Sequence, residues 1–376
     1  MKIGIDARFY GPKVKGLGRY LQKLVENLEK IDGGSKNEYL VFLKKENFDE
    51  FHPKSRNFKK VLADFDWYGW REQLFFPFFL NKYKLDLMHF GHFNVPVFYR
   101  GKFAVTIHDL ILFHYPTFKN TTLGKAYYMF KLLAYRLVIF LAVKRAKRVI
   151  TVSDFTKKDI LKNFKINPGK IEVIKEGCEF TEKENRKTPE TIFKKYDIVK
   201  PYLLYVGNAY PHKNLDRLCL AFKEIQKRKK SLNLVLVGGK DFFYEKLESF
   251  IQKKKIDGIH LPGFIPDEHL GAFYREAECY VFPSLYEGFG LPPLEALSHN
   301  CPVISSNKSS MPEILGEGAL YFDPEDVDSI KKAIQEVLSN PEKKKKTLEE
   351  GRKRLPLFDW KQNARETLQV YKKVLQ

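Results

Sequence analysis

Residues 202–239 have the sequence YLLYVGNAYPHKNLDRLCLAFKEIQKRKKSLNLVLVGG. An apolar strand over 202–206 ends at Gly207 and is followed by an amphipathic helix over 214–229. A second apolar strand over 231–237 then ends in Gly238-Gly239. Strands that alternate with helices in this way predict a parallel sheet that is covered on both faces by helices.

The first half of the chain shows the same alternation of short apolar runs and helical patterns. Strands are predicted over 2–6, 39–43, 60–62, 85–90, 103–107, 148–152 and 171–174, with helices over 16–30, 70–82, where Pro77 interrupts the pattern, and 124–147. Residues 175–200 are polar and rich in lysine and glutamate, which is typical of a domain boundary. The sequence therefore predicts an α/β fold with two doubly wound Rossmann-like domains, over 1–180 and 198–356, that face a ligand-binding cleft.

The composition excludes several classes of protein. With 376 residues, of which 44% are hydrophobic and 30% charged, the chain is not disordered. Its four cysteines form no Cys-x-x-Cys pair, which argues against a zinc knuckle and a disulfide framework. No apolar run reaches the length of about 18 residues that a membrane span needs, and no signal region follows Met1. We therefore expect a cytoplasmic protein with reduced thiols.

The net charge of +20 is unevenly distributed along the chain. Residues 1–175 contain 33 Lys and Arg against 16 Asp and Glu, a net charge of +17, whereas residues 176–376 have a net charge of +3. A positive field of this kind attracts nucleic acid, an anionic membrane face or phosphorylated substrates. A lysine-rich surface without any such partner is the other interpretation.

Three loops that follow predicted strands carry residues suited to an anionic or hydroxylated ligand. Gly16 and Gly18 would let the backbone approach a ligand ahead of a helix, although the full dinucleotide-binding spacing is absent. His108 follows a buried strand, where a histidine can donate a hydrogen bond to a sugar hydroxyl or a phosphate. Lys213 precedes the start of a predicted helix, so its ammonium group and the N-terminus of that helix could act on one anion. A tight turn, a satisfied buried histidine and a surface lysine are the structural alternatives.

The densest motif is PSLYEGFGLPPLE at residues 283–295, directly after an apolar strand. Its glycines and paired prolines predict an irregular, exposed backbone before the next helix. Glu287 and Glu295 suit a polyhydroxylated ligand, because an ionised carboxylate accepts two hydrogen bonds from a diol. The intervening N–H groups can face a phosphate. This motif favours a functional interpretation over a purely structural one.

One acidic pair points to a different chemistry. Asp64 and Asp66 form an Asp-x-Asp pattern that could bind a divalent cation in a nucleotide-sugar enzyme of the single-domain type. No strong strand precedes the pair, which lies beside an aromatic segment over 67–70. A surface loop is the favoured interpretation, and no metal site is predicted.

At residues 283–295 the chain resembles the retaining glycosyltransferases of family four, which have the GT-B fold. Their motif places seven residues between two glutamates, as between Glu287 and Glu295, usually with the Gly-Phe-Gly-Leu-Pro found at 288–292. Segments over 3–8, 16–20, 107–109, 151–153, 207–215 and 358–360 also resemble the mannosyltransferase-like branch of that family. In such folds the last helix, here 357–376, crosses back onto the first domain.

The resemblance implies a role for each matching residue. Glu287 would contact the transferred hexose, and Glu295 would contact the ribose hydroxyls of a nucleotide sugar. Lys213 would bind the diphosphate, and His108 would lie near the donor sugar. The other implied donor-binding residues are Gly16, Gly18, Gly207, Asn208, His212, Gly288, Phe289, Gly290 and Leu291.

This chain departs from the family pattern at one position. Many members have an arginine where Asn208 stands here, so a second cation for the diphosphate is missing at that position. The sequence leaves open whether Arg19 or His212 compensates for it.

The activity implied by the resemblance is a retaining transfer of a hexose from a nucleotide diphosphate sugar to a glycan or lipid-pyrophosphate acceptor. No metal or other cofactor is expected. GDP-mannose is the expected donor, with UDP-glucose next, and the expected role is in polysaccharide biosynthesis. The basic first half suggests a peripheral position on the inner face of an anionic membrane, and nucleic acid is not an expected partner.

Two alternatives come from other classes of function. The first is a polyanion-binding protein without catalysis, which would use the +17 half of the chain on nucleic acid or a membrane. The second is a metal-dependent transferase that uses Asp64 and Asp66.

Overall fold

Two parallel β-sheets form the framework of the computed structural model, which describes residues 1–11, 14–116, 124–178 and 188–376. The chain divides into a first unit of Met1–Phe113, Asn120–Gly177 and Phe358–Gln376, and a second unit of His114–Lys119 and Cys178–Leu357. The C-terminal helix therefore belongs to the first unit, although the whole second unit precedes it in the chain.

The strands are short and mostly buried on both faces, as expected for parallel sheets covered by helices. Those of the first sheet are β1 (Lys2–Asp6), β2 (Glu38–Leu43), β3 (Phe58–Leu62), β4 (Leu87–Phe90), β5 (Phe103–Ile107), β6 (Arg148–Thr151) and β7 (Ile171–Val173). Those of the second sheet are β8 (Tyr202–Val206), β9 (Asn233–Val237), β10 (Ile259–Gly263), β11 (Cys279–Phe282), β12 (Val303–Ser306) and β13 (Ala319–Phe322).

Helices connect these strands. Those before β8 are α1 (Lys15–Asp32), α2 (Trp70–Asn81), α3 (Ile111–His114), α4 (Gly124–Arg145), α5 (Asp154–Asn163) and α6 (Pro189–Lys195). The later ones are α7 (Leu215–Gln226), α8 (Phe242–Lys254), α9 (Asp267–Glu276), α10 (Leu291–Ser298), α11 (Met311–Leu315), α12 (Val327–Ser339), α13 (Pro341–Arg354) and α14 (Trp360–Leu375). None of the helices within the described residues is long and apolar enough to cross a membrane.

The strand orders are β3-β2-β1-β4-β5-β6-β7 and β10-β9-β8-β11-β12-β13, and all pairs are parallel. The predicted α/β fold with two doubly wound Rossmann-like domains is confirmed. In each sheet the order reverses between the first strand and the fourth, β1 and β4 or β8 and β11. Ligands of such sheets bind beyond the carboxyl ends of the strands at this reversal point. The loops after these strands are therefore the candidate ligand-binding loops.

Hydrogen bonds tie α14 to the first sheet. The Tyr371 hydroxyl lies 2.7 Å from Nδ1 of His89 on β4, and Nε2 of His89 lies 2.9 Å from the hydroxyl of Thr106 on β5. The Tyr20 hydroxyl of α1 lies 3.0 Å from the same Thr106 oxygen. Burial lowers the pKa of His89 to about 3, so its ring is neutral within this set of hydrogen bonds.

Two elements differ from the sequence expectation. Helix α2 continues through Pro77, because Phe76 and Leu80 are packed in the core on both sides of that residue. Helix α6 lies inside the polar segment 175–200, of which residues 179–187 fall outside the described part. Thr188 caps this helix, which buries Ile192 and Phe193. The sequence did not predict it, because two apolar side chains among so many charged ones are a weak helical signal.

Candidate functional site

The reversal point of the second sheet carries an ion pair between the two loops that sequence analysis singled out there. Lys213 lies in the loop after β8, and Glu287 lies in the loop after β11. The Lys213 Nζ atom is 2.5 Å from Oε1 of Glu287. Their side chains are only 14% and 9% exposed, so water screens the pair weakly. The fold thus brings together two residues that are 74 positions apart.

Further hydrogen bonds hold these two loops against each other. The Leu285 N–H donates to the backbone oxygen of His212 over 2.8 Å. Asn214, whose φ of 60° lies in the left-handed region, donates its side-chain amide to the carbonyls of Pro283 and Pro324 at 3.1 and 2.7 Å. An asparagine tolerates this backbone conformation better than most residues. The position of Lys213 therefore depends on its neighbour in the chain.

Two serines that sequence analysis missed shape the glutamate loop. They follow β12, which pairs with β11 in the sheet. The N–H of Glu287 donates to the Ser309 hydroxyl over 3.1 Å. The buried Ser310 hydroxyl reaches the carbonyls of Glu287 and Phe289 at 3.1 and 3.2 Å. The only signal in the sequence was a Ser-Ser pair after an apolar strand.

Gly290 marks the transition from this loop to α10. Its φ of 96° is strained for any residue with a side chain, and an added Cβ would lie 2.5 Å from Cε of Met311. Helix α10 begins directly afterwards, with prolines at 292 and 293 that carry no N–H. Backbone donors for an anion at this helix start therefore come mainly from Gly288–Leu291.

His212 and Glu295 flank the ion pair in sequence. Burial and the neighbouring Lys213 lower the pKa of His212 to about 4, so its ring is neutral at pH 7. Its Nδ1 atom has no hydrogen-bond partner within the described residues. A neutral imidazole can offer a hydrogen bond to a ligand, but it supplies no second cation. Glu295 is half-buried on α10, and one of its oxygens accepts a hydrogen bond from Tyr274 over 3.1 Å.

The remaining positions of the loop after β8 have internal roles. The Asn208 carbonyl accepts a hydrogen bond from the Tyr205 hydroxyl over 2.8 Å, and its side-chain oxygen accepts one from the N–H of Tyr210 over 3.3 Å. A Cβ at Gly207 would lie 2.6 Å from the Tyr205 hydroxyl. Packing alone therefore accounts for the glycine there.

In the first unit, Gly16 and Gly18 lie in the first turns of α1 rather than ahead of the helix, and the two positions differ from each other. A Cβ at Gly18 would lie 2.0 Å from the carbonyl of Gly11, so this glycine is required for packing. A Cβ at the exposed Gly16 would meet nothing within 4 Å. The backbone at Gly16 is thus open to a ligand, whereas the backbone at Gly18 is covered. Residues 12 and 13, between β1 and α1, fall outside the described part.

His108 lies beyond the carboxyl end of β5, and its ring contacts acceptors on both sides. Nδ1 is 2.9 Å from Oε1 of the buried Glu176, and Nε2 is 3.1 Å from the carbonyl of Gly91, after β4. Tyr20 packs edge-on at 4.6 Å between ring centroids. Burial alone would lower the pKa of His108, but the hydrogen bond and charge of Glu176 outweigh it and raise the pKa. A carboxylate and a carbonyl both require donors, so this geometry suits an imidazolium. No motif in the sequence indicated Glu176.

The Asp-x-Asp pair lies in a loop, with its two carboxylates engaged differently. Asp66 forms an ion pair with Lys44 at 2.7 Å, and Asp64 accepts a hydrogen bond from the N–H of Lys45 over 3.3 Å. Among the described residues, no group of three or more metal-binding side chains could hold an ion.

Two family models together match most of the chain. Residues 14–181 match the model of Glycosyltransferase Family 4, and residues 188–354 match that of Glycosyl transferases group 1. The O-antigen chain mannosyltransferase B of Escherichia coli is 31% identical over 299 residues, which cover 78% of this chain and 76% of that protein. The O-antigen chain mannosyltransferase RfbU of Salmonella typhimurium is 31% identical over 64% of this chain and 62% of its own length.

Solved structures show the same architecture at lower identity. Sucrose-phosphate synthase from Thermosynechococcus elongatus is 22% identical, with a TM-score of 0.75 over 100% of this chain and 99% of that one. WaaG, a glycosyltransferase involved in lipopolysaccharide biosynthesis, is 14% identical, with a TM-score of 0.73 over 98% and 99%. At such low identities these matches support only the fold. They agree with the GT-B fold that the sequence resemblance implied.

Proposed function

Because this chain belongs to the group 1, family 4 glycosyltransferases and is a hexosyltransferase of glycan synthesis, we propose that it transfers mannose from GDP-mannose to a glycan or lipid-pyrophosphate acceptor. The proposed transfer retains the anomeric configuration, needs no metal, and takes place on the inner face of a membrane. Family membership makes the chain an enzyme, so a polyanion-binding protein without catalysis is no longer an alternative.

The buried ion pair of Lys213 and Glu287 is the single observation that carries this proposal. It lies at the strand reversal of the second sheet, where doubly wound folds bind ligands. Cations bind a diphosphate, and carboxylates accept hydrogen bonds from sugar hydroxyls. The pair offers one group of each kind, held side by side by hydrogen bonds between the two loops.

The choice of mannose rests on the relatives. The two relatives described above and the MMP alpha-(1->4)-mannosyltransferase of Mycolicibacterium hassiacum, which is 28% identical over 62% of this chain, all carry mannosyltransferase in their names. UDP-glucose is the second candidate donor.

In the proposed complex, each group in the second unit has one task. Glu287 accepts hydrogen bonds from hexose hydroxyls, and Glu295 accepts them from the ribose. Lys213 and the backbone around residues 288–291 neutralise the diphosphate, and the buried His212 contributes a neutral hydrogen bond. In the first unit, the open backbone at Gly16 contacts the diphosphate, and His108 acts near the hexose as a positive group. Asn208, Gly207 and Gly18 contribute through loop shape.

The proposed reaction needs no nucleophile from the protein. The bond between the anomeric carbon and the β-phosphate oxygen breaks, and the nucleoside diphosphate takes the electron pair. The acceptor oxygen attacks from the face that the diphosphate leaves, and its proton passes to a phosphate oxygen. Lys213 favours this step because it stabilises the negative charge that grows on the diphosphate.

Donor binding can be tested by the thermal stability of the full chain with GDP-mannose, UDP-glucose, GDP and UDP. We expect GDP and GDP-mannose to raise the melting temperature most, since a ligand that binds only the native state stabilises it. Transfer is then followed with GDP-mannose, and the anomer of the product is read by NMR. Stabilisation by uridine nucleotides alone would overturn the donor assignment, and an inverted anomer would overturn retention.

The role of Glu287 is tested with the Glu287→Gln variant. Its matched control is Glu248→Gln, which makes the same change on the exposed face of α8. Removal of a carboxylate that binds the transferred sugar should lower kcat/KM by about a hundredfold or more, whereas the control should match the wild type. Full transfer activity in a folded Glu287→Gln protein would refute the assigned role.

A further inference from the structure

Helices α2 and α4 cover the same face of the first sheet. Phe76 and Leu80 of α2 and Ile139 and Val143 of α4 belong to one buried core together with residues of β4, β5 and β6. The other sides of these helices point outward and remain strongly apolar. The exposed apolar side chains there, which we call the apolar patch, are Trp70, Leu74, Phe75, Phe78, Phe98, Met129, Phe130, Leu133, Leu137 and Phe140.

The backbone of Val97 links the two helices that carry the apolar patch. The N–H of Val97 donates to the side-chain oxygen of Gln73 on α2 over 2.8 Å. Its carbonyl accepts a hydrogen bond from Arg145 of α4 over 2.5 Å. Phe98 follows directly and is 52% exposed. The segment that carries Phe98 therefore lies between α2 and the C-terminal end of α4.

The spacing on α4 produces a stripe rather than scattered exposure. Phe130, Leu133, Leu137 and Phe140 recur every three or four residues and so lie on one side of the helix, over a length of about 15 Å. Phe130 is 69% exposed and Leu133 is 60% exposed. Contiguous exposure on this scale is unusual for a protein that is fully surrounded by water.

The same surface carries positive charge and no exposed acid on either helix. Residues 124–145 contain no Asp or Glu at all. The only acid of α2 is Glu72, which is buried against Arg8. Exposed basic residues accompany the patch, namely Arg71 and Lys82 at the two ends of α2 and Arg136 and Lys144 on α4.

We propose that the apolar patch is the surface by which this protein docks on an anionic lipid bilayer. The aromatic and aliphatic side chains of α2 and α4 enter the boundary between headgroups and acyl chains, and the basic residues contact the lipid phosphates. This inference specifies the membrane contact named in the proposed function and rests on it. Docking itself, however, needs neither donor nor catalysis, so it can be tested separately.

Charge favours a lipid surface over a second copy of the chain as the occupant. Two copies that met through this face would bring Arg71, Lys82, Arg136 and Lys144 of one against the same residues of the other, and like charges disfavour such a contact. An anionic bilayer presents the opposite charge together with an apolar interior. It therefore complements both properties of the patch.

The first test is co-sedimentation of the full chain with vesicles of phosphatidylcholine, with and without phosphatidylglycerol. The patch variant is Phe78→Ser with Phe130→Ser, two side chains that are 67% and 69% exposed. The matched control is Phe242→Ser with Phe264→Ser, where Phe264 is 72% exposed in the second unit. We expect the patch variant to bind anionic vesicles at least about tenfold more weakly than the wild type, and the control to bind like the wild type.

The second test concerns charge. Lys82→Glu with Lys144→Glu should weaken binding to phosphatidylglycerol vesicles by at least about fivefold per position, and added salt should weaken binding of the wild type. The matched control, Lys253→Glu with Lys332→Glu in the second unit, should have little effect. These positions are exposed, so all variants should keep the melting temperature of the wild type.

Three outcomes would overturn the proposal. They are a wild type that ignores anionic vesicles, a patch variant that binds them like its control, and a patch variant that changes from dimer to monomer in light scattering while vesicle binding persists. Stabilisation of the wild type and of the patch variant by GDP-mannose is measured alongside. If the wild type binds the vesicles but not the nucleotide, the proposed function fails while the docking surface stands.

Discussion

The Nζ atom of Lys213 lies 2.5 Å from Oε1 of Glu287, and this largely buried pair joins the loops that follow β8 and β11. Each residue alone in that position would be an isolated charge in a low-dielectric surrounding, which is costly. Together they keep a cation and a carboxylate ready for a ligand that has both phosphates and hydroxyls. The pair links the stability of the second unit to its proposed chemistry.

Replacing only one member of this pair should destabilise the protein. We expect Lys213→Met to reduce the free energy of unfolding by about 3 kcal/mol, because it leaves Glu287 buried and unpaired. The double variant Lys213→Met with Glu287→Gln should regain much of that loss but no transfer activity, since both ligand-binding charges are gone. Denaturant unfolding and a transfer assay on the same proteins measure the two effects. Additive losses of stability in the double variant would show that the two side chains do not interact.

Gly290→Ala and Gly16→Ala should separate structure from ligand binding. Alanine at Gly290 must adopt a φ of 96° and meets Cε of Met311, so we expect a loss of about 1–2 kcal/mol and weaker donor binding. Alanine at Gly16 meets nothing and improves the first turn of α1, so stability should stay equal or rise by about 0.5–1 kcal/mol. Donor binding by Gly16→Ala should nevertheless fall if the backbone there touches the diphosphate. Normal nucleotide affinity in this variant would remove Gly16 from the site.

The pair of His108 and Glu176 should make stability depend on pH. The pKa of His108 is raised in the folded state, so its contribution is complete below the unfolded value of about 6.5 and is lost as the pH rises through the folded value. Compared with His108→Gln, the wild type should therefore be more stable at pH 6 and lose that advantage in alkaline solution. The difference between the two proteins removes the contribution of His212, whose pKa is lowered instead by burial. A constant difference at all pH values would contradict an imidazolium at this position.

Tyr371→Phe should loosen the C-terminal helix from the first sheet. The variant keeps the ring but leaves the buried Nδ1 of His89 without the hydroxyl that lies 2.7 Å away. A lost partner for a buried polar atom costs about 1–3 kcal/mol. Hydrogen exchange of α14 should become faster, while Tyr321→Phe, which removes a hydroxyl in the second unit, serves as the control. Unchanged exchange in α14 would mean that other contacts hold the helix.

Removing divalent metal should not affect transfer. Asp66 already forms an ion pair with Lys44, and the proposed site neutralises the diphosphate with Lys213 and backbone donors. We expect full activity in excess chelator, and also in the variant Asp64→Asn with Asp66→Asn. Loss of activity in both experiments would support the metal-dependent alternative, whereas loss with chelator alone would place a metal elsewhere.

The sequence by itself determined the sheets, the order of the elements and the two loops that carry Lys213 and Glu287. Apolar runs that alternate with amphipathic helices favour a parallel sheet covered by helices. The Gly- and Pro-rich segment 283–295 matches no regular helix or strand pattern, which marks it as a loop. These signals are local, since they lie within a few residues of each other.

The tertiary structure alone decided which distant groups meet. Glu176 reaches His108 over 68 positions, Ser309 reaches the N–H of Glu287 over 22, and Tyr371 reaches His89 over 282. It also decided which apolar side chains of α2 and α4 enter the core and which stay outside, because both helices are apolar on nearly all sides. Composition and periodicity cannot distinguish these cases, since burial depends on the packing of elements that are far apart in the chain.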